Sequence, residues 1–199
     1  RIAYAHAMGD TTNIYWMSAD GSGSPERLQV APGRWWPFAF EPGGRRLIYH
    51  GLAKSGAKAE IRQVEVGGDR NSGVILASAF HNYDPSLSPD GHWMAYASNE
   101  SGRFEVYVRP YPGPGGRWQV SLEGGVEPRW SASGREIFYR NGEQMMSAAV
   151  RTQPGFEVGG RTELFTGPYV QLSTLLTNYD VTRDGQQFLM LQPVQGTEQ

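Results

Sequence analysis

Four stretches of this chain superimpose on a turn glycine: FEPGGRRLIYH on Gly44, LSPDGHWMAYA on Gly91, WSASGREIFYR on Gly134 and VTRDGQQFLML on Gly185. The glycines are 47, 43 and 51 residues apart. Each stretch reads as a short apolar run, a tight turn and a second apolar run, which is the pattern of a β-hairpin. Five residues after the glycine stand Tyr49, Tyr96 and Tyr139, with Met190 in the last copy. Tyr4 lies 45 residues before Tyr49, so the chain enters the pattern in a unit whose first strand and turn are missing. A third strand follows in each unit (NIYWMSADG, EIRQVEVGG, EVYVRPYPG, QMMSAAVRTQPG), then a fourth (ERLQV, GVILAS, RWQVS, TELFT). A period in the forties with four strands per unit is the signature of a β-propeller, whose sheets bury both faces against their neighbours around a central channel.

The expected fold is therefore all-β: four-stranded antiparallel blades, about four repeats, a partial or half propeller. The repeats fall at about 1–35, 36–82, 83–125, 126–176 and a partial 177–199, within a single propeller domain or fragment. Three blades are expected to be complete, from about residue 36 to 166. Composition agrees, since 26 glycines and 13 prolines are spread at intervals and no long amphipathic helix can be placed. RNGEQMMSAAVRTQ is the best helix candidate, and its register with the other units favours a strand.

The SPDG turn, the position before it (Phe40, Leu87, Trp130, Val181) and the strand after it resemble the TolB-type, WD-like propeller repeat. Such repeats occur in periplasmic TolB, beside hydrolase domains in peptidases, and in C-terminal propellers of bacterial receptor-like serine/threonine kinases. The resemblance covers nearly the whole chain and implies a bacterial protein, with the compartment and the parent left open. It departs from the family in the degenerate turns EPGG and SASG and in lacking the WD dipeptide. Propellers of this kind act as binding platforms, gates and enzymes, so the resemblance speaks for fold more than function.

In a blade the first strand, A, lines the channel, the A–B turn lies on the bottom face, and the D–A and B–C loops lie on the top. Seven positions before each turn glycine stand Pro37, Asp84, Glu127 and Asn178, at the channel mouth. His6, His50 and His81 fall on the same top face, and His92 on the bottom. Asp84, Glu127, Asn178 and His81 could converge on Ca²⁺ through oxygen, or on Zn²⁺ or Mn²⁺ with nitrogen included. A metal there would polarise a carbonyl or phosphoryl oxygen or lower the pKa of bound water to about 7. That is the chemistry of a metal-dependent hydrolase of activated esters, lactones or phosphotriesters. The competing reading is structural: in repeats of this family the acidic residue before a proline ties the D–A loop to backbone amides, and DPS and EPR fit. His6 and His50, a strand or more outward at about 4.8 Å per strand, are expected at the surface. Trp35, Trp36, Tyr83 and Tyr169 gather near the A strands, either as an apolar rim for a ligand or as packing.

Other chemistries are excluded by what is missing. No cysteine is present, which removes disulfides and thiolate sites. No G-x-S-x-G elbow occurs, and GPGG at 113–116 lies between two aromatic strands as a hairpin turn. A net charge of −2 gives no footprint for nucleic acid. No apolar run approaches the roughly 18 residues of a spanning helix, and RIAYAHAMGD lacks a signal-peptide layout, so no membrane insertion is expected. The preferred function is a non-catalytic module of a larger bacterial protein that binds a protein or small-molecule ligand at its top face. The loop GPYVQLSTLLTN, with Tyr169, Val170, Leu172, Leu175 and Leu176, is expected to cover the channel mouth or meet another chain. The spare A and B strands at the end suggest ring completion, either within one chain or, preferred, in a homodimer whose last strands dock on the partner's first strands.

Overall fold

The computed structural model describes residues 1–28, 30, 32–54, 56–67, 72–171 and 176–193. Among these, all helix and strand content is β. Blade 1 has three strands, β1 (Ile2–Met8), β2 (Thr11–Met17) and β3 (Glu26–Leu28). Blade 2 has four, β4 (Arg34–Phe40), β5 (Arg46–Leu52), β6 (Glu60–Glu65) and β7 (Ser72–Leu76). Blade 3 runs β8 (Asn82–Leu87), β9 (Trp93–Ser98), β10 (Glu105–Pro110) and β11 (Trp118–Gln119). Blade 4 runs β12 (Val126–Trp130), β13 (Glu136–Asn141), β14 (Gln144–Arg151) and β15 (Glu157–Thr166). A terminal sheet holds β16 (Tyr179–Val181) and β17 (Phe188–Met190). Every pairing is antiparallel between successive strands. The three complete blades span the expected residues, and the helix candidate is β14. Among the described residues β16 pairs only with β17 and not with β1.

The repeat glycines create the first hairpin of each unit. Gly44, Gly91, Gly134 and Gly185 have φ of 69°, 71°, 69° and 72°, in the left-handed region where a Cβ is penalised. Each donates its N–H to the carbonyl three residues back, at 2.8, 2.8, 3.0 and 2.9 Å, on Glu41, Ser88, Ser131 and Thr182. One turn geometry is thus used four times. The degenerate EPGG and SASG copies keep it, because the glycine alone supplies the demanding dihedral.

Strand alternation then sorts side chains to two faces of each sheet. Residues three and five after the glycine point back to the preceding blade, and those four after it point forward. Leu47 and Tyr49 pack with Ile14, Leu28 and Trp35 across the seam of blades 1 and 2. Ile48 and Ile61 meet Met94, Tyr96 and Tyr107 across the next. Ala95, Val106 and Val108 meet Trp130, Ile137 and Tyr139 between blades 3 and 4. Phe138 and Met145 meet Tyr179, with Phe188 and Met190 beside them, at the terminal sheet. The core is this series of seams. It sets the A strands β4, β8, β12 and β16 side by side.

Candidate functional site

The position seven before the turn glycine carries unusual backbone. Asp84 and Glu127 have φ of 53° and 56° and are the two non-glycine residues with positive φ among the described residues. Both lie in breaks of the A–B register, between Tyr83 and Ser86 and between Val126 and Arg129. A β-bulge there re-aims the side chain. The proline that follows, Pro85 or Pro128, has no N–H to leave unpaired in the interrupted ladder. A left-handed non-glycine residue costs about 1–2 kcal/mol, so something must offset it.

The offset is a chain of ties from blade to blade. Asp84 Oδ2 accepts from the backbone N–H of Glu127 at 3.3 Å. Glu127 Oε2 accepts from the backbone N–H of Asn178 at 2.9 Å, and Oε1 from Asn178 Nδ2 at 3.2 Å. Tyr179 adds a bond from its hydroxyl to the Glu127 carbonyl at 2.9 Å. Blade 2 carries Pro37 at this position and has no carboxylate to offer. His50, at the end of β5, takes the part instead: its Nδ1 accepts from the Asp84 N–H at 2.8 Å. Thr12 does the same for blade 1, accepting from Trp35 N–H at 2.6 Å and donating to its carbonyl at 2.8 Å. His50 is therefore not at the surface as its outward position suggested. It is fully buried among Phe38, Trp36 and Tyr83.

Electrostatics distinguish the two carboxylates. Burial, and then the nearby Glu127 charge, pushes the Asp84 carboxyl well above its usual range, against the Glu127 amide and Arg129. Burial also raises Glu127, opposed first by its two bonds from Asn178 and then by Arg140 and Arg129. Asp84 Oδ1 is buried and has no hydrogen-bond partner among the described residues.

The structure brings Asp84, Glu127 and Asn178 together, through two backbone amides and the Asn178 side-chain amide. Among the described residues no three His, Asp or Glu side chains are grouped to hold a metal ion. His81 stacks on Tyr83 with centroids 5.6 Å apart, and its Nδ1 accepts from the Ala59 N–H at 3.2 Å and lies 3.0 Å from the Tyr83 hydroxyl. Burial, then the Lys58 charge, lowers its pKa. The four aromatics do not form one rim. Trp35 is fully buried edge-on to Tyr49, under the Arg62 guanidinium, and Tyr83 is buried. Trp36 is half-buried against His50. Tyr169 packs on Phe165 and lines a 490 Å³ crevice with Phe138, Phe188 and Met190. Its loop is anchored by Arg140, which donates to the carbonyls of Tyr169 and Val170 at 3.3 and 2.8 Å. Leu172 and Leu175 lie outside the described residues.

The channel itself is hollow lower down. A cavity of about 490 Å³ is lined by the same four repeat positions at the ends of all four A strands and in the A–B turns that follow, residues 39–42, 86–89, 129–132 and 180–183 with Glu41 excepted. That is within the range of small-molecule sites. Its walls are apolar at Phe40, Leu87, Trp130 and Val181, carry hydroxyls at Ser86, Ser88, Ser131 and Thr182, and are charged at Arg129, Asp180 and Arg183. Arg129 Nε is buried with no hydrogen-bond partner among the described residues. Reading the sequence for ligand-like residues at the mouth passed over this ring. The signal was available two positions further on, where Ala39, Ser86, Arg129 and Asp180 align.

No protein-family model matches the chain, and no curated protein matches it in sequence. Solved structures do match in fold. TolB from Acinetobacter baumannii superimposes with a TM-score of 0.70 at 17% identity, covering 98% of this chain and 48% of that one. A putative TolB from Agrobacterium tumefaciens gives 0.65 at 17% identity, over 82% and 61%. A putative 6-phosphogluconolactonase from Bacteroides uniformis gives 0.56 at 17% identity, over 94% and 59%. The chain spans about half to three-fifths of the length of these structures. Its fold is a partial β-propeller of the TolB type.

Proposed function

We propose that this chain is a non-catalytic binding module, part of a larger bacterial protein, that takes a ligand or a segment of a partner protein into the hollow between β4, β8, β12 and β16. The observation that carries this reading is the commitment of the mouth carboxylates to backbone amides of the next blade. What faces the hollow is two arginines, an aspartate, hydroxyls and apolar side chains, a set suited to recognition. The hydroxyls and guanidinium fit a ligand with a carboxylate or similar acceptor group.

One observation favours the alternative, a metal-dependent hydrolase of activated esters, lactones or phosphotriesters: the unpartnered, buried Asp84 Oδ1. Two measurements separate the readings. Amide chemical shifts are followed while a panel of carboxylate-bearing fragments is titrated in, and turnover of a lactone, an aryl ester and a phosphotriester is assayed with added Ca²⁺, Zn²⁺ or Mn²⁺. The binding reading expects shifts at residues 39–42, 86–89, 129–132 and 180–183 that Arg129→Ala removes, and no turnover. Metal-dependent turnover lost in Asp84→Asn would replace it with the hydrolase.

A further inference from the structure

The seam between blades 2 and 3 holds a second cavity, of about 230 Å³, that shares no lining residue with the channel hollow. Both blades have all four strands, and neither blade 1 nor the terminal sheet contributes to its walls. At about 30 Å³ per molecule of liquid water it has room for about seven water-sized groups. One wall is the GPGG loop after β10, where Gly115 and Gly116 line the cavity and carry no side chain to fill it. A Cβ on Gly115 would lie 2.7 Å from Pro110 Cγ, so only glycine lets the loop seat this closely.

The charged groups that meet there are unequal. Arg117 Nε donates to Glu100 at 2.5 Å, and its guanidinium lies over the Tyr107 ring. Arg46, Arg62 and Arg103 in the same two blades also have glutamate partners. Arg109, in the same cavity wall, makes no salt bridge among the described residues, and its Nε is buried with no hydrogen-bond partner among them. A guanidinium withdrawn from water in this way calls for an anion. Tyr96, also in the wall and buried, supplies a donor. Burial, and then the Glu100 charge, holds its hydroxyl protonated well above the usual phenol range, against Arg109 and Arg117. Asn82 commits its Nδ2 to Ser78 Oγ and to the carbonyls of Ala59 and Phe80, so what it offers a ligand is an acceptor. Glu100 is a second acceptor, and a charge that disfavours a dianion.

The geometry points to a binding site for a small 2-hydroxy monocarboxylate, with its carboxylate on Arg109 and the Tyr96 hydroxyl and its own hydroxyl on Asn82 or Glu100. Two carboxylate oxygens suit the planar fork of a guanidinium. Two arginines against one glutamate leave the wall with one positive charge, matched by one negative charge on the ligand. The site is separate from the channel hollow and stands whether or not a ligand binds there.

The test is a titration of lactate, propionate and inorganic phosphate at neutral pH, followed by amide chemical shifts in the wild-type chain and in Arg129→Ala, which lacks the guanidinium of the hollow. Lactate should give saturable shifts at Leu76, Ser78, Asn82, Gly115 and Gly116 in both chains. Propionate, without the hydroxyl, should bind several-fold more weakly, and phosphate more weakly still. Arg109→Gln should weaken lactate by about tenfold or more, as expected for loss of a charge-assisted hydrogen bond. Its Tm should not fall, because Arg109 ties nothing in the fold. Tyr96→Phe should weaken lactate about fivefold, and it carries the test if Arg109→Gln does not fold. The inference is overturned if lactate gives no saturable shift at tens of millimolar, if its binding survives Arg109→Gln or Tyr96→Phe unchanged, or if phosphate binds more tightly than lactate. Shifts at the hollow that Arg129→Ala removes report on the channel alone, so the two sites fail or stand separately.

Discussion

At the channel mouth, blades 3 and 4 and blade 4 and the terminal sheet are joined at the same repeat position by carboxylates that differ by one methylene. Glu127 reaches far enough to take both a backbone and a side-chain donor from Asn178, at 2.9 and 3.2 Å. Asp84 reaches a single amide at 3.3 Å and, among the described residues, keeps one oxygen unpartnered. Both adopt the same strained dihedral. The extra length of glutamate converts a buried charge from a liability into a tie, because a buried carboxylate is tolerable only when its lone pairs are met.

The largest effect should come from the better tie. Glu127→Ala leaves the Asn178 N–H without its acceptor in a buried seam, and unfolding in urea should show a loss of about 2–3 kcal/mol, the usual cost of orphaning buried donors. Asp84→Ala removes one long bond together with an ill-solvated carboxyl, so the loss should be about 1 kcal/mol or less. Equal losses in the two variants would break the contrast between the seams.

A smaller effect is expected from pH. Asp84 and Glu127 are both held above their ordinary values, so each binds its proton more tightly in the folded chain. Their contribution is fully present below the unfolded carboxylate range near pH 4 and is lost as pH rises through their folded values. Tm should therefore be higher at about pH 5 than at about pH 8, a window above the one in which the lowered carboxyls of Asp20, Asp90 and Asp184 titrate. Asp84→Asn, which retains an acceptor and suits the left-handed backbone, should flatten most of that slope. An unchanged slope would place the pH dependence outside the mouth.

The blades were legible in the sequence because a turn that needs positive φ announces itself by glycine, and four such glycines set the register of everything between them. The structural use of Asp84 and Glu127 was also legible, from the proline after each. His50 was not. Its distance from the axis is that of a surface residue, and only the folded seam shows it standing in for the carboxylate that Pro37 cannot supply. Trp35 misled in the opposite way: an aromatic beside an A strand reads as rim or core from sequence alone, and its partners Tyr49 and Arg62 belong to other strands of blade 2. The hollow was missed because no lining position keeps one residue type through the four repeats. Only the convergence of four strands makes those residues a site.

The central claim is that the mouth carboxylates tie blade to blade through backbone amides. Its most direct test is the Tm of the wild-type chain and of Glu127→Ala, each measured in EDTA and in millimolar Ca²⁺, Zn²⁺ or Mn²⁺. A ligand that binds the folded state raises Tm in proportion to its occupancy. The account predicts a wild-type Tm indifferent to EDTA and to all three metals, with the Glu127→Ala loss the same in every condition. A wild-type Tm that rises with one of the metals, and falls back to the Glu127→Ala value in EDTA, would contradict it.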